Sequence, residues 1–120
     1  MKGQGKLPFD PEVFLSGTNG GSTKSSYEKD QVIFSEGGAA DSIFYMQKGQ
    51  VKIVARSEQG KEAVVAILGP GDFCGEGCLA GQPRRIATAF AMTKCVITRV
   101  DKAVMIRLLH DEPGSWTIAL

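Results

Sequence analysis

The chain has 120 residues, 42% of them apolar and 22% charged, with a formal net charge of +1. This is one domain's length with an ordinary globular composition, which excludes a disordered chain and leaves no room for two domains. The near-neutral charge supplies no global basic field for nucleic acid, and no run of about 18 apolar residues is present to span a membrane.

Glycine is the outlier. There are 15 glycines, well above the average usage of about 7%. Nine of them fall between Gly37 and Gly81. That density argues against a helix bundle and for a turn-rich β domain.

In chain order, residues 1–21 read as a lead-in. Phe9, Val13, Phe14 and Leu15 allow one short helical turn, and Gly17 to Gly21 form a flexible loop. The first eleven residues are rich in Gly, Lys and Pro and lack the apolar core of an export signal. A cytoplasmic location follows as the expectation, with Cys74, Cys78 and Cys95 as reduced thiols.

From residue 22 to 112 the glycines punctuate short strands. Gly37-Gly38, Gly49, Gly60 and Gly69-Pro70-Gly71 recur at roughly ten- to twelve-residue intervals, the spacing of a sandwich or barrel. Strands are predicted over 31–35, 42–47, 51–56, 63–68, 86–92 and 95–100. Residues 63–68 are continuously apolar, which predicts a strand buried on both faces. Along 86–92, large Ile86, Phe90 and Met92 alternate with Ala87, Ala89 and Ala91, whose small face leaves room for a ligand. Hairpin turns are expected at Lys48-Gly49-Gln50 and Glu58-Gln59-Gly60.

Two helices complete the pattern. One is short, over 76–81. The other covers 102–110, with Asp101 placed to cap it, Pro113-Gly114 to stop it, and Val104, Met105, Leu108 and Leu109 on one face. Residues 113–120 form a tail too short for a helix-turn-helix, so direct DNA binding by this chain alone is not expected.

The chemistry concentrates between Gly69 and Ala89. A glycine turn brings Gly75 to a helix start, with Glu76 in its first turn and Arg84-Arg85 nine residues on. Glycine before a helix N-terminus lets backbone N–H groups approach an anion. Arginine grips phosphate through its planar fork. A carboxylate would repel that anion, so Glu76 implies a ligand that also offers hydroxyl groups, as a ribose phosphate does. The single histidine, His110, cannot supply the ligands of a metal-dependent jelly-roll enzyme, and Cys74 with Cys78 fit small buried volumes better than a metal pair. No metal, cofactor or catalytic residue is therefore expected.

The run Phe73-Cys74-Gly75-Glu76-Gly77-Cys78-Leu79, then Pro83-Arg84-Arg85-Ile86-Ala87-Thr88-Ala89, resembles the phosphate-binding cassette of cyclic-nucleotide-binding domains. Gln31 to Ile53 is similar to that family's strand–turn–strand pattern, and the likeness runs over about residues 12–112. It is closest to the sensor half of Crp/Fnr-type bacterial transcription regulators.

The resemblance implies a mainly β, eight-stranded antiparallel jelly roll with short flanking α-helices. It implies a sensor without chemistry, binding cAMP or cGMP. Gly75 would offer its amide, Glu76 would accept from the ribose 2′-hydroxyl, and Arg85 would pair with the cyclic phosphate. Cys78 and Leu79 would line the pocket beside Gly77, Ile86 and Ala87, while Arg84 points to solvent or assists at long range. Ile86 stands where the family often has Thr or Ser and offers only its amide, which favours cAMP. Gly77 departs from the family's Leu or Ile, and Cys74 from its aromatic or small residue. Partners would be the nucleotide and a second copy or an effector. The alternative is an interaction or dimerisation domain that binds no nucleotide, with Arg85 and Glu76 satisfying each other.

Overall fold

The computed structural model describes residues 22–111. Eight strands appear: β1 (Ser22–Tyr27), β2 (Val32–Phe34), β3 (Ser42–Lys48), β4 (Val51–Arg56), β5 (Glu62–Leu68), β6 (Phe73–Cys74), β7 (Thr88–Ala91) and β8 (Cys95–Asp101). A 3-10 helix spans Glu76–Ala80 and one α-helix, α1, spans Lys102–Asp111. The strands form two four-stranded sheets, ordered β1-β8-β3-β6 and β2-β7-β4-β5. Every pairing is antiparallel. This is the mainly β jelly roll that the glycine spacing and the resemblance point to.

Packing follows from side-chain parity. Phe44, Met46 and Ile97 of the first sheet face Val51, Ala89 and Ala91 of the second, and form the inter-sheet core with Cys74 and Cys95. The opposite face of β3 and β8 carries Ile43, Tyr45 and Val100, covered by Cys78 of the 3-10 helix and Met105 of α1. Strand β3 is therefore sealed on both sides.

Strand β5 is not. Its apolar run was expected to be buried on both faces, yet Val64, Val65 and Ile67 are 54%, 60% and 56% exposed. Strand β5 is the edge of its sheet. No described element covers its outer face, whereas two helices cover that of β3. Composition cannot tell these two runs apart, because burial depends on what lies across the sheet.

Gly49 requires a second correction. Residues 49–50 join β3 to β4, which lie in different sheets, so the turn is a crossover and not a hairpin. The chain bends there at φ +87, and a Cβ would run into the Lys94 carbonyl and Cys95. The Glu58–Gly60 turn does close a hairpin. Ser57 N–H donates to the Lys61 carbonyl at 2.8 Å between β4 and β5.

Strand β1 had no apolar alternation to reveal it. It is a polar edge strand that pairs with β8 from Ser22↔Val100 to Tyr27↔Cys95. At the start of α1, Asp101 is the last residue of β8, and its carboxylate accepts from Arg99 Nη1 at 2.6 Å. The Lys102 N–H donates to the Asp41 carbonyl at 2.9 Å. The lead-in over 1–21, the 113–120 tail, and the side chains of Leu108, Leu109 and His110 lie outside the described residues.

Candidate functional site

A cavity of about 470 Å³ opens between the second sheet and the segment that follows β6. One wall is apolar: Phe34 from β2, Ile53 and Ala55 from β4, and Val65, Ala66 and Leu68 from β5. The opposite end is polar, built from Gly75, Glu76, Gly77, Gln82 and Arg85, with Ile86 and Ala87 beside them. The bulge in β5 between its pairings to Ile53 and Val54 leaves Val65 as the extra residue, which turns it toward the cavity.

Gly75 adopts φ +84 immediately before the 3-10 helix. This left-handed conformation suits glycine. A Cβ there would lie 2.6 Å from Arg85 Nη1, so glycine also makes way for the guanidinium. The first N–H groups of a helix have no intrahelical acceptor. Glu76 stands exposed at this edge of the cavity.

Arg85 is the buried member, 7% exposed. Its Nη1 donates to the Gly75 carbonyl at 3.0 Å, and its Nη2 donates to the Ser42 carbonyl at 2.7 Å and to Ser42 Oγ at 3.2 Å. Its Cζ lies 4.5 Å from the Phe34 ring centroid and 5.6 Å from that of Phe44. The two rings stack with centroids 5.5 Å apart. Arg85 Nε is buried and has no hydrogen-bond partner. Its backbone is fixed as well: Arg85 N–H donates to the Gly38 carbonyl, and Gly37 N–H donates to the Arg85 carbonyl, both at 2.8 Å. The Gly37-Gly38 turn thus positions the arginine as well as reversing the chain.

Among the described residues no ion pair involves Arg85; the pairs are Arg56–Glu62, Lys94–Glu28 and Arg99 with Asp41 and Asp101. The mutual satisfaction of Arg85 and Glu76 that the alternative reading invokes does not occur. The guanidinium is held by neutral oxygens alone.

Two predicted pocket residues lie elsewhere. Cys78 is fully buried under β3, its Sγ 3.7 Å from the Ser42 carbonyl, and Leu79 packs against the same cluster. Both point inward because the side of the 3-10 helix away from the cavity closes the core. Arg84 is exposed and donates to the Gly37 carbonyl at 3.0 Å. Of the small face expected along residues 86–92, only Ala87 lines the cavity, since Ala89 and Ala91 are consumed by the inter-sheet core.

Cys74 also touches the cavity. Burial pushes its thiol up to about 12, with the Glu76 charge adding and Arg85 opposing. Burial likewise raises Cys78, against the pull of Arg85 and Lys102. All three cysteines are free and buried. Ser42, Phe34, Phe44 and Gln82 were not singled out from sequence. Ser42 and Phe44 fall in the strand–turn–strand segment that carries the resemblance, but nothing in their spacing marks them as contacts of Arg85.

A buried, carboxylate-free arginine behind a glycine turn, at the polar end of an apolar cavity in a jelly roll, suits a small anionic ligand with an apolar part. The chain belongs to the cyclic nucleotide-binding domain family, whose sequence profile matches residues 24–112. It is 30% identical over 112 residues to the cAMP-activated global transcriptional regulator CRP of Salmonella typhimurium, covering 91% of this chain and 51% of the relative. The chain spans about half the length of these curated relatives.

Among solved structures, the Thermus thermophilus catabolite activator protein superposes with a TM-score of 0.76 at 23% identity, covering 88% of this chain and 49% of that one. The sensor domain of the transcriptional regulator DNR from Pseudomonas aeruginosa gives 0.76 at 24% identity, covering 88% and 71%. At these identities the likeness establishes the fold. The domain is a cyclic nucleotide-binding regulatory domain of the kind CRP-like regulators carry, from a family that is regulatory and not enzymatic. Among the described residues no helix is long and apolar enough to cross a membrane.

Proposed function

We propose that the domain is a cytoplasmic cAMP sensor. The observation that carries this reading is the state of Arg85: a buried cation without a carboxylate partner, with Nε unsatisfied. A buried charge lacking a counter-ion is costly, and an anionic ligand relieves that cost. A cyclic phosphate suits it. The guanidinium grips two oxygens, and the amide of Gly75 can add a donor.

Glu76 then accepts from the ribose 2′-hydroxyl, and the apolar wall formed by Ile53, Leu68 and Ile86 receives the base. Ile86 is 70% exposed and carries no hydroxyl, so it offers guanine's extra polar groups nothing and leaves adenine favoured. The name of the Salmonella relative, which is cAMP-activated, supports the same ligand.

Binding draws Arg85 from the carbonyls of Gly75 and Ser42 toward the phosphate. It thereby biases the cassette and the helices packed on β3 toward a second arrangement. A second copy of the chain or an effector partner reads that change. Calorimetric titration with cAMP, cGMP and 2′-deoxy-cAMP tests the proposal. Saturable cAMP binding with weaker cGMP binding is expected, and a flat titration with all three overturns it.

A further inference from the structure

We propose that Gln82 is a specificity-determining residue of this cavity, reading the ligand's sugar hydroxyl together with Glu76; the inference rests on the cAMP reading above. It begins from Gly77, where the family pattern has Leu or Ile. The space such a side chain would fill is already taken. A Cβ at position 77 would collide with Gln82 Oε1 and lie 3.0 Å from Gln82 Cδ.

Gln82 is held there by its own turn. Gly81, at φ +95, closes the 3-10 helix, its N–H donating to the Cys78 carbonyl at 3.3 Å. The Gln82 N–H then donates back to the Gly77 carbonyl at 3.3 Å. The chain folds over the start of the 3-10 helix, so the Gln82 side chain crosses Gly77 next to Glu76. Gly77 and Gln82 are thus one feature: an apolar side chain from position 77 is replaced by an amide from position 82.

The chemistry at that point is incomplete. Gln82 lines the cavity with Glu76 and Arg85, and among the described residues no hydrogen bond reaches its carboxamide. A carboxylate only accepts, whereas a carboxamide carries two N–H donors and an acceptor oxygen. A ribose hydroxyl both donates and accepts. The hydroxyl donates a hydrogen bond to the Glu76 carboxylate, and a Gln82 N–H donates one to the hydroxyl oxygen. Being neutral, the amide does not compete with the phosphate for Arg85. A site built to pair with a hydroxyl rejects the analogue lacking it, because its own polar groups are left unpaired.

The test compares cAMP with 2′-deoxy-cAMP by titration calorimetry on wild type and Gln82→Met, which keeps length and removes the amide. The wild-type preference for cAMP is expected to shrink about three- to tenfold in Gln82→Met, the worth of one net hydrogen bond. An unchanged preference overturns the Gln82 role while leaving the cAMP reading intact. Absence of cAMP binding to wild type overturns both.

A ligand-free arm checks the geometry. The effect of Gly77→Ala on the melting temperature is expected to be less favourable in the wild-type background than in the Gln82→Ala background. Equal effects in both backgrounds overturn the packing on which the inference stands.

Discussion

Arg85 Nη2 donates to the backbone carbonyl of Ser42 at 2.7 Å, so the positive charge of the cavity rests on β3 and not on an acidic side chain. A carbonyl is a neutral partner that a phosphate can outcompete. A carboxylate would have to be displaced against full Coulomb attraction. This arrangement keeps the guanidinium ordered without neutralising it. Removing one partner of a buried, hydrogen-bonded charge pair costs about 2 to 5 kcal/mol. Arg85→Ala is expected to weaken cAMP binding by at least about 30-fold in calorimetry. Arg85→Lys should recover only part of that loss, because the ammonium lacks the planar fork.

Phe34 carries the guanidinium on its ring face at 4.5 Å and also forms the cavity wall. Phe34→Leu preserves most of the apolar volume and removes the ring. Cation–π contacts contribute about 0.5 to 2 kcal/mol. A fall in cAMP affinity of about two- to 30-fold is expected, with near-wild-type circular dichroism.

Gly75→Ala combines two penalties. Its φ of +84 is left-handed, and the new Cβ would press on Arg85 Nη1. The backbone term alone costs roughly 1 to 2 kcal/mol. Urea unfolding should show a lower midpoint at unchanged slope, and calorimetry should show weakened nucleotide binding in the same variant.

The Cys74 thiol sets an alkaline limit on stability. Its ordinary value is 9.0, and burial first, then the Glu76 charge, raise it to about 12. Between those values the unfolded chain releases a proton that the folded chain keeps. The stability from this group is fully present below pH 9 and is lost as pH rises toward about 12. Chemical unfolding across that window should show falling stability, with a shallower slope in Cys74→Ala. At pH 8 Cys74 should resist iodoacetamide in the folded protein and react once denatured, because the thiolate is the nucleophile.

Ile43 and Ile67 sit in two apolar runs, at 2% and 56% exposure. Ile43→Ala is expected to cost about 2 to 5 kcal/mol through transfer and cavity terms. Ile67→Ala should remain within about 0.5 kcal/mol of wild type. Paired urea denaturation curves separate the two.

Much of the chain could be read without coordinates. The alternation of 51–56, the glycine at each bend and the inward placement of Val104 and Met105 follow from local rules of backbone conformation and side-chain period. Gly75, Glu76 and Arg85 could also be picked out by residue type and spacing, and the structure brings the three to one end of the cavity. Strand β1 escaped because Ser22 to Tyr27 is polar, and only its pairing with β8 makes it a strand. Residues 63–68 misled because an apolar run says nothing of which faces meet another layer.

By itself the sequence determined the β class, the positions of the glycine bends and the residue types of the candidate site, all set by interactions within a few residues. Only the tertiary structure decided which residues meet. It turned Cys78 and Leu79 into the core under β3 and gave Ala89 and Ala91 to the space between sheets. It seated Arg85 on Ser42, 43 positions away along the chain, and on the ring of Phe34. Contacts at such separations are imposed by strand pairing and sheet packing, and no local pattern records them.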